Sequence, residues 1–149
     1  MSRDEVLTAA ELRRLLGQAA QRAKGSERTH EERDVQRAIV DALEGPEWSH
    51  RVFVFHVPNG GARHVIEAVN LMRDGVRPGV ADLPVMLPGG RICWLEVKSE
   101  SGHLRQSQRE FRDVCHALGH GYYVVRSVAE ALAAVEREIG ATNHERRTA

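Results

Sequence analysis

Glu96 and Lys98 stand two residues apart in RICWLEVK, 91–98, a stretch that is otherwise apolar after its first residue. Lys98 is one of only two lysines in the chain, the other being Lys24. Read as a strand, this stretch places Ile92, Trp94, Glu96 and Lys98 on one face and Cys93, Leu95 and Val97 on the other. Both faces are apolar until the charges arrive. Burying a carboxylate or an ammonium there costs several kcal/mol unless the charge is paired or bound to a metal.

The preceding segment supplies a partner. VADLPVML, the turn residues PGG and RICWLEVK read as a β-hairpin. Folded about a three-residue loop at Pro88–Gly90, it sets Leu87 opposite Arg91 and, counting outward, Asp82 opposite Glu96. Carboxylates facing each other at roughly 5 Å repel, and a divalent cation between them removes the objection. Mg²⁺ takes one or two carboxylates and keeps waters and phosphate oxygens. Lys98, about 6.6 Å further along the same face, is placed to hold an attacking water or to stabilise charge growing on a phosphate. On the hairpin alone another reading stays open: an ordinary Glu96–Lys98 ion pair at an exposed strand end, with Asp82 a solvated turn residue. A slip of one residue would also take Asp82 off register.

The elements that must position these residues follow from periodicity and caps. A first helix is expected from about Thr8 to Ala23, opened by the capping box Thr8/Glu11 and striped by Leu12, Leu15, Leu16 and Ala19. A second starts at Thr29 with Glu32 as its capping partner and runs along Val35, Ile39 and Leu43 until EGPEW stops it. RVFVFHV, 51–57, is a strand ended by the turn PNGG, and a helix spans Arg63 to Arg73. Beyond the hairpin come a helix from about Leu104 to Leu118, the strand YYVVR, 122–126, and a last helix opened by Ser127 and Glu130. The order α, α, β, α, β, β, α, β, α predicts an α/β protein with a mixed central sheet flanked by helices. The divisions are an N-terminal accessory helix and linker over 1–28, one domain over 29–140 and a disordered tail over 141–149.

At 149 residues, 42% hydrophobic, the chain suits one domain without disulfide or metal staples. Cys93 and Cys115 lack zinc spacing and read as buried thiols. The charged N-terminus has no signal-peptide centre and no run is long enough to span a membrane, so a cytoplasmic location is expected. With 21 basic and 21 acidic residues there is no general pull toward nucleic acid, and any phosphate binding must be local. All but two of the basic residues are arginine, which suits phosphate forks, although codon bias gives the same excess.

Asp, a hairpin turn and then Glu-x-Lys, here Asp82 and EVK at 96–98, resembles the PD-(D/E)xK nuclease superfamily. HVPNGGAR, GVRPGVADL, WLEVKSESGHLRQSQREF and GYYVVRSVAEA, in this order, resemble the VRR-NUC family within it, over about residues 30–135. Ala81 departs from the proline that often precedes the aspartate, a position that supplies no ligand.

The resemblance implies a PD-(D/E)xK nuclease-like core and a Mg²⁺- or Mn²⁺-dependent deoxyribonuclease with no small-molecule cofactor. Asp82, Glu96 and Lys98 fall on the catalytic positions. The main-chain carbonyl of Val97 is expected to reach the metal, Glu32 to support it directly or through water, and Gln108 to orient the attacking water or a phosphate. For Glu32 a plain capping role, and for Gln108 a solvated helix position, are the competing readings.

Asn59, Gly60 and Gly61 of the PNGG turn and Arg63 just after it, with Arg77 and Arg105, are the candidate DNA contacts. His56, His64 and His103 lie near the proposed site and read as packing or solvated surface. The resemblance further implies a homodimer acting on branched DNA such as Holliday junctions, in repair or in a phage acting in its host cell. The alternatives are a non-catalytic DNA-binding or assembly module of the same fold, an exonuclease or flap nuclease, and an RNA nuclease.

Overall fold

The β-branched and aromatic run 52–55, the hairpin 83–97 and GYYVV form one sheet because their alternate side chains are apolar on both faces and can be covered from both sides. The computed structural model describes residues 10, 13, 14, 17, 30–58 and 65–148. The helix expected over Thr8–Ala23 lies outside them apart from Ala10, Arg13, Arg14 and Gly17, which are helical, and Thr29 also lies outside. The elements are α1 (His30–Glu44), β1 (Phe53–Val54), α2 (Val65–Arg73), β2 (Leu83–Met86), β3 (Ile92–Val97), α3 (Gln106–Ala117), β4 (Gly121–Val125) and α4 (Val128–Thr148).

The chain divides into two units, 1–27 with 60–77 and 28–59 with 78–149. In the first, α2 closes as Asp74 N–H donates to Asn70 O and Val76 N–H to Leu71 O, with Gly75 at φ 98° making the turn.

The second unit holds the sheet, in the order β1-β2-β3-β4. β1 and β3 flank β2 antiparallel, and β4 joins β3 in parallel through α3, so the sheet is mixed as expected. On one face Val54, Leu83, Val85, Cys93, Leu95, Val97 and Val125 bury against Ile39 and Leu43 of α1 and Ala131, Val135 and Ile139 of α4. Each large aliphatic removed from water there contributes about 1.5–3 kcal/mol. On the other face α3 lays Phe111 and Cys115 over Trp94 and Tyr122, and the Phe111 ring meets Trp94 edge-on at 4.9 Å.

Three expectations are corrected. The 51–57 strand starts only at Phe53, because Arg51 and Val52 donate their N–H groups back to Trp48 O instead of to the sheet, and its regular part is Phe53–Val54, with Phe55 N–H still donating to Pro84 O at 3.3 Å and Val57 N–H to Asp82 O at 2.9 Å. Residues 141–148, expected as a disordered tail, continue α4 as helix to Thr148; no proline interrupts the helix-forming run, and Gly140 alone is too weak a stop. The Ser127/Glu130 box is half made: Glu130 N–H donates to Ser127 Oγ at 3.2 Å, while Glu130 Oε2 accepts from Arg126 N–H at 2.8 Å. Among the described residues no helix is long and apolar enough to cross a membrane.

Candidate active site at the open end of the central hairpin

The pairs Leu83↔Leu95, Pro84↔Trp94, Val85↔Cys93 and Met86↔Ile92 fix the hairpin register, and Leu87 N–H donates to Arg91 O at 3.0 Å across the turn. One step beyond Leu83↔Leu95 come Asp82 and Glu96, side by side as counted from the sequence. They are 7% and 1% exposed, and Lys98 is 7% exposed. The alternative of a solvated ion pair at an exposed strand end is therefore set aside: Lys98 Nζ meets Glu96 Oε1 at 2.9 Å inside the protein.

Neighbouring elements hold each group. Asp82 Oδ2 accepts the N–H of Val97 at 2.9 Å, so the aspartate extends the ladder where the main-chain pairing of β2 with β3 ends. In a strand the carbonyl leaves on the same edge as its own N–H, which turns the Val97 carbonyl toward the Asp82 side. The next residue alternates, and Lys98 N–H donates to Val125 O on β4 at 3.0 Å.

Gln108 is buried, which excludes the solvated reading, and uses both ends of its amide. Its Oε1 accepts Arg105 N–H at 2.9 Å at the start of α3, and its Nε2 donates to Glu96 Oε1 at 2.5 Å. Two donors therefore converge on one oxygen of the Glu96 carboxylate. The chain entering Asp82 runs hard against this helix start. Gly79, at φ 76°, lies so close to Ser107 O that any side chain there would collide with it.

Glu32 reaches in from α1, its Oε1 accepting Ser99 N–H at 3.0 Å, immediately after Lys98. His56 Nδ1 lies 3.1 Å from the main-chain oxygen of Asp82, and His103 is exposed. Arg105 is exposed at the head of α3, and Arg77 is exposed in the other unit. Asn59, Gly60, Gly61, Arg63 and His64 lie outside the described residues.

The sequence did not single out Tyr122. Its hydroxyl is buried without a hydrogen-bond partner, and its pKa is raised by burial first, then by the charges of Glu96 and Asp82. The tyrosine thus stays neutral as an apolar floor to the acidic pair. Its only signal was a place in GYYVV beside Trp94, which pairing with β3 alone reveals. Cys93 and Cys115 are free and buried, with burial pushing their thiols up to about 12 and about 11. They are inert packing groups, as read from their spacing.

Among the described residues no group of three or more His, Cys, Asp or Glu gathers to hold a metal. The acidic donors at this end are a pair, Asp82 and Glu96, with the Val97 carbonyl beside them. That set suits a hard ion that retains several waters, such as Mg²⁺ or Mn²⁺, and does not suit zinc, which asks for nitrogen and sulfur donors in a closed shell.

No protein-family profile matches the sequence, and no curated protein matches it. Among solved structures the chain is similar to one described as a VRR_NUC domain protein, at TM-score 0.59 and 17% identity over 76% of this chain and 92% of that one. It is also similar to one described as a VRR_NUC domain, at TM-score 0.50 and 23% identity over 72% and 97%. The chain shares the fold of these VRR_NUC domain structures, the fold that the resemblance of its motifs led us to expect.

Proposed function

We propose that this chain is a divalent-metal-dependent DNA endonuclease that hydrolyses phosphodiester bonds in branched DNA such as Holliday junctions, acting as a homodimer in the cytoplasm. The observation that carries the hydrolytic reading is the burial of Asp82, Glu96 and Lys98 together, in register, at one end of a hairpin. Two carboxylates and an ammonium withdrawn from water cost stability, and a structural scaffold gains nothing from them. The preference for branched DNA and the paired assembly rest on the resemblance of the motifs alone.

Asp82 and Glu96, with the Val97 carbonyl, would hold Mg²⁺ or Mn²⁺, which when bound supplies a more acidic water and a counter-charge for phosphate oxygens. Lys98 presents its ammonium beside Glu96, where it stabilises charge growing on the phosphate. Gln108 fixes the rotamer of Glu96, so that the carboxylate is set before substrate arrives. Glu32 acts one step back, tethering the main chain that carries Lys98.

The deciding experiment incubates the protein and its Lys98→Ala variant with a four-way junction, a linear duplex and single-stranded RNA, with Mg²⁺ or with EDTA. Metal-dependent nicking of the junction above the duplex, lost in the variant, supports the proposal. Cleavage of RNA alone would replace the substrate class, and no cleavage of any of the three would leave a binding module.

A further inference from the structure

Lysine is a poor catalytic group unless something holds its long stem, since ordering it sacrifices up to roughly 2 kcal/mol of rotamer entropy. The ion pair with Glu96 fixes only the tip. The stem is covered by the loop that joins β3 to α3. A methyl group at Gly102 would lie 3.2 Å from both Cβ and Cδ of Lys98 and 3.1 Å from Ser99 Oγ, so the bare Gly102 backbone packs along the lysine stem. Gly102 N–H donates to Ser99 O at 3.0 Å and closes the turn.

Glu32 holds the loop at its first residue, Ser99, while Glu100, Ser101 and His103 beyond it are exposed, and this outer part of the turn is gripped by a residue far along the chain. Arg126, just past β4, donates from Nη2 to Gly102 O at 3.0 Å and from Nε to Glu100 O at 3.3 Å. Its own N–H is held by Glu130 Oε2 at 2.8 Å, and its neighbour Val125 accepts the N–H of Lys98. The planar guanidinium is therefore anchored at its base and spends two of its donors on loop carbonyls. Arg109, by contrast, folds back on its own helix start at Leu104 O and Gln106 Oε1.

We propose that Arg126 is a positioning residue for Lys98: by gripping the carbonyls of Glu100 and Gly102 it presses the loop onto the lysine stem and keeps the ammonium aimed at Glu96. This rests on the reading of Lys98 as the charge-stabilising group. It adds a residue that touches neither metal nor substrate.

With only two lysines in the chain, amine acylation mapped by mass spectrometry reports on Lys98 directly, with the urea-unfolded protein as reference and no need for activity. Lys98 is expected to react far more slowly in the folded wild type than in the unfolded chain and severalfold faster in folded Arg126→Gln, with partial protection restored in Arg126→Lys. In cleavage assays kcat of Arg126→Gln is expected to fall by about 10- to 100-fold, with KM for DNA and calorimetric Mn²⁺ affinity close to wild type.

Unchanged Lys98 acylation in Arg126→Gln would overturn the proposal, as would a rise in KM with kcat intact, which would make Arg126 a DNA contact. Should Arg126→Gln not fold, Gly102→Ala tests the same contact with Arg126 in place, and must likewise expose Lys98 and lower kcat. A wild type that cuts nothing sinks the nuclease reading, while the acylation result still decides what Arg126 does.

Discussion

Gln108 on α3 and Glu96 on β3 are joined by a 2.5 Å hydrogen bond in the buried interior, and the same amide accepts the N–H of Arg105 at the helix start. One side chain thus ties the placement of α3 to the orientation of a carboxylate. The coupling works because a neutral amide donates at one end and accepts at the other.

Gln108→Ala is therefore expected to weaken both. Loss of the donor to a buried carboxylate destabilises the protein by about 1–3 kcal/mol, read as a lower denaturant midpoint, and cleavage falls while Mg²⁺ still binds. Gln108→Glu sets a second carboxylate against Glu96 and should be the worse of the two in stability. If Gln108→Ala leaves both midpoint and rate unchanged, the bond has no role in holding Glu96.

Asp82 separates structural from chemical roles through its two possible replacements. The Val97 N–H needs an acceptor at this position; Asn still offers a carbonyl oxygen and Ala offers none. Asp82→Asn should keep stability within about 1 kcal/mol, whereas Asp82→Ala leaves a buried donor unsatisfied at about 1–3 kcal/mol. Both should abolish cleavage and the thermal stabilisation produced by Mg²⁺, as EDTA does in the wild type. Asp82→Asn that retains Mg²⁺-induced stabilisation would remove Asp82 from the ion site.

Much of this end of the molecule was legible in the sequence. A three-residue turn fixes register, register fixes which residues face each other, and so Asp82, Glu96 and Lys98 could be brought together by counting. What counting could not supply was the long-range support. Glu32 reaches Ser99 across 67 positions and Arg126 reaches Gly102 across 24, contacts for which composition and periodicity carry no signal. Gln108 was singled out, but its service to Glu96 depends on how α3 crosses the sheet. The late start of β1 and the continuation of α4 past Gly140 depend on weak local preferences, which tertiary contacts and helix propagation decide.

The two thiols set an alkaline limit to stability. Burial, then the charge of Glu138, raises Cys93 from 9.0 to about 12, and burial raises Cys115 from 9.0 to about 11. A raised folded-state value means that the unfolded chain loses these protons first. The stabilisation is thus complete below pH 9 and is lost as pH climbs from 9 through 11 and 12, at up to about 1.4 kcal/mol per pH unit for each thiol. Melting temperature should fall above pH 9, and a Cys93→Ala, Cys115→Ala double variant should show a shallower fall. Equal slopes would assign the alkaline loss to other groups. In native protein at pH 8, both thiols should resist a disulfide reagent.

At the far end of β3 from the acidic pair, a second buried charge is held for a different purpose. Glu138 of α4 receives Arg91 Nη2 at 2.6 Å and Tyr123 Oη–H at 2.7 Å. Its carboxylate passes where a Cβ on Gly121 would lie, 2.6 Å from Glu138 Cδ, so the bare glycine of β4 lets α4 reach across to the arginine before β3. Glu138→Ala strands a half-buried guanidinium and should cost about 3–5 kcal/mol, whereas Glu136→Ala, which breaks a more exposed pair with Arg51, should cost no more than about 1 kcal/mol. Gly121→Ala should resemble Glu138→Ala, since the methyl group displaces the carboxylate. Because Arg91 and Gly121 lie at the opposite end of β3 from Asp82, Glu96 and Lys98, cleavage per folded molecule should be unchanged in all three variants below their melting temperatures. A Glu138→Ala protein as stable as wild type would show that this pair contributes nothing to holding α4 on the sheet.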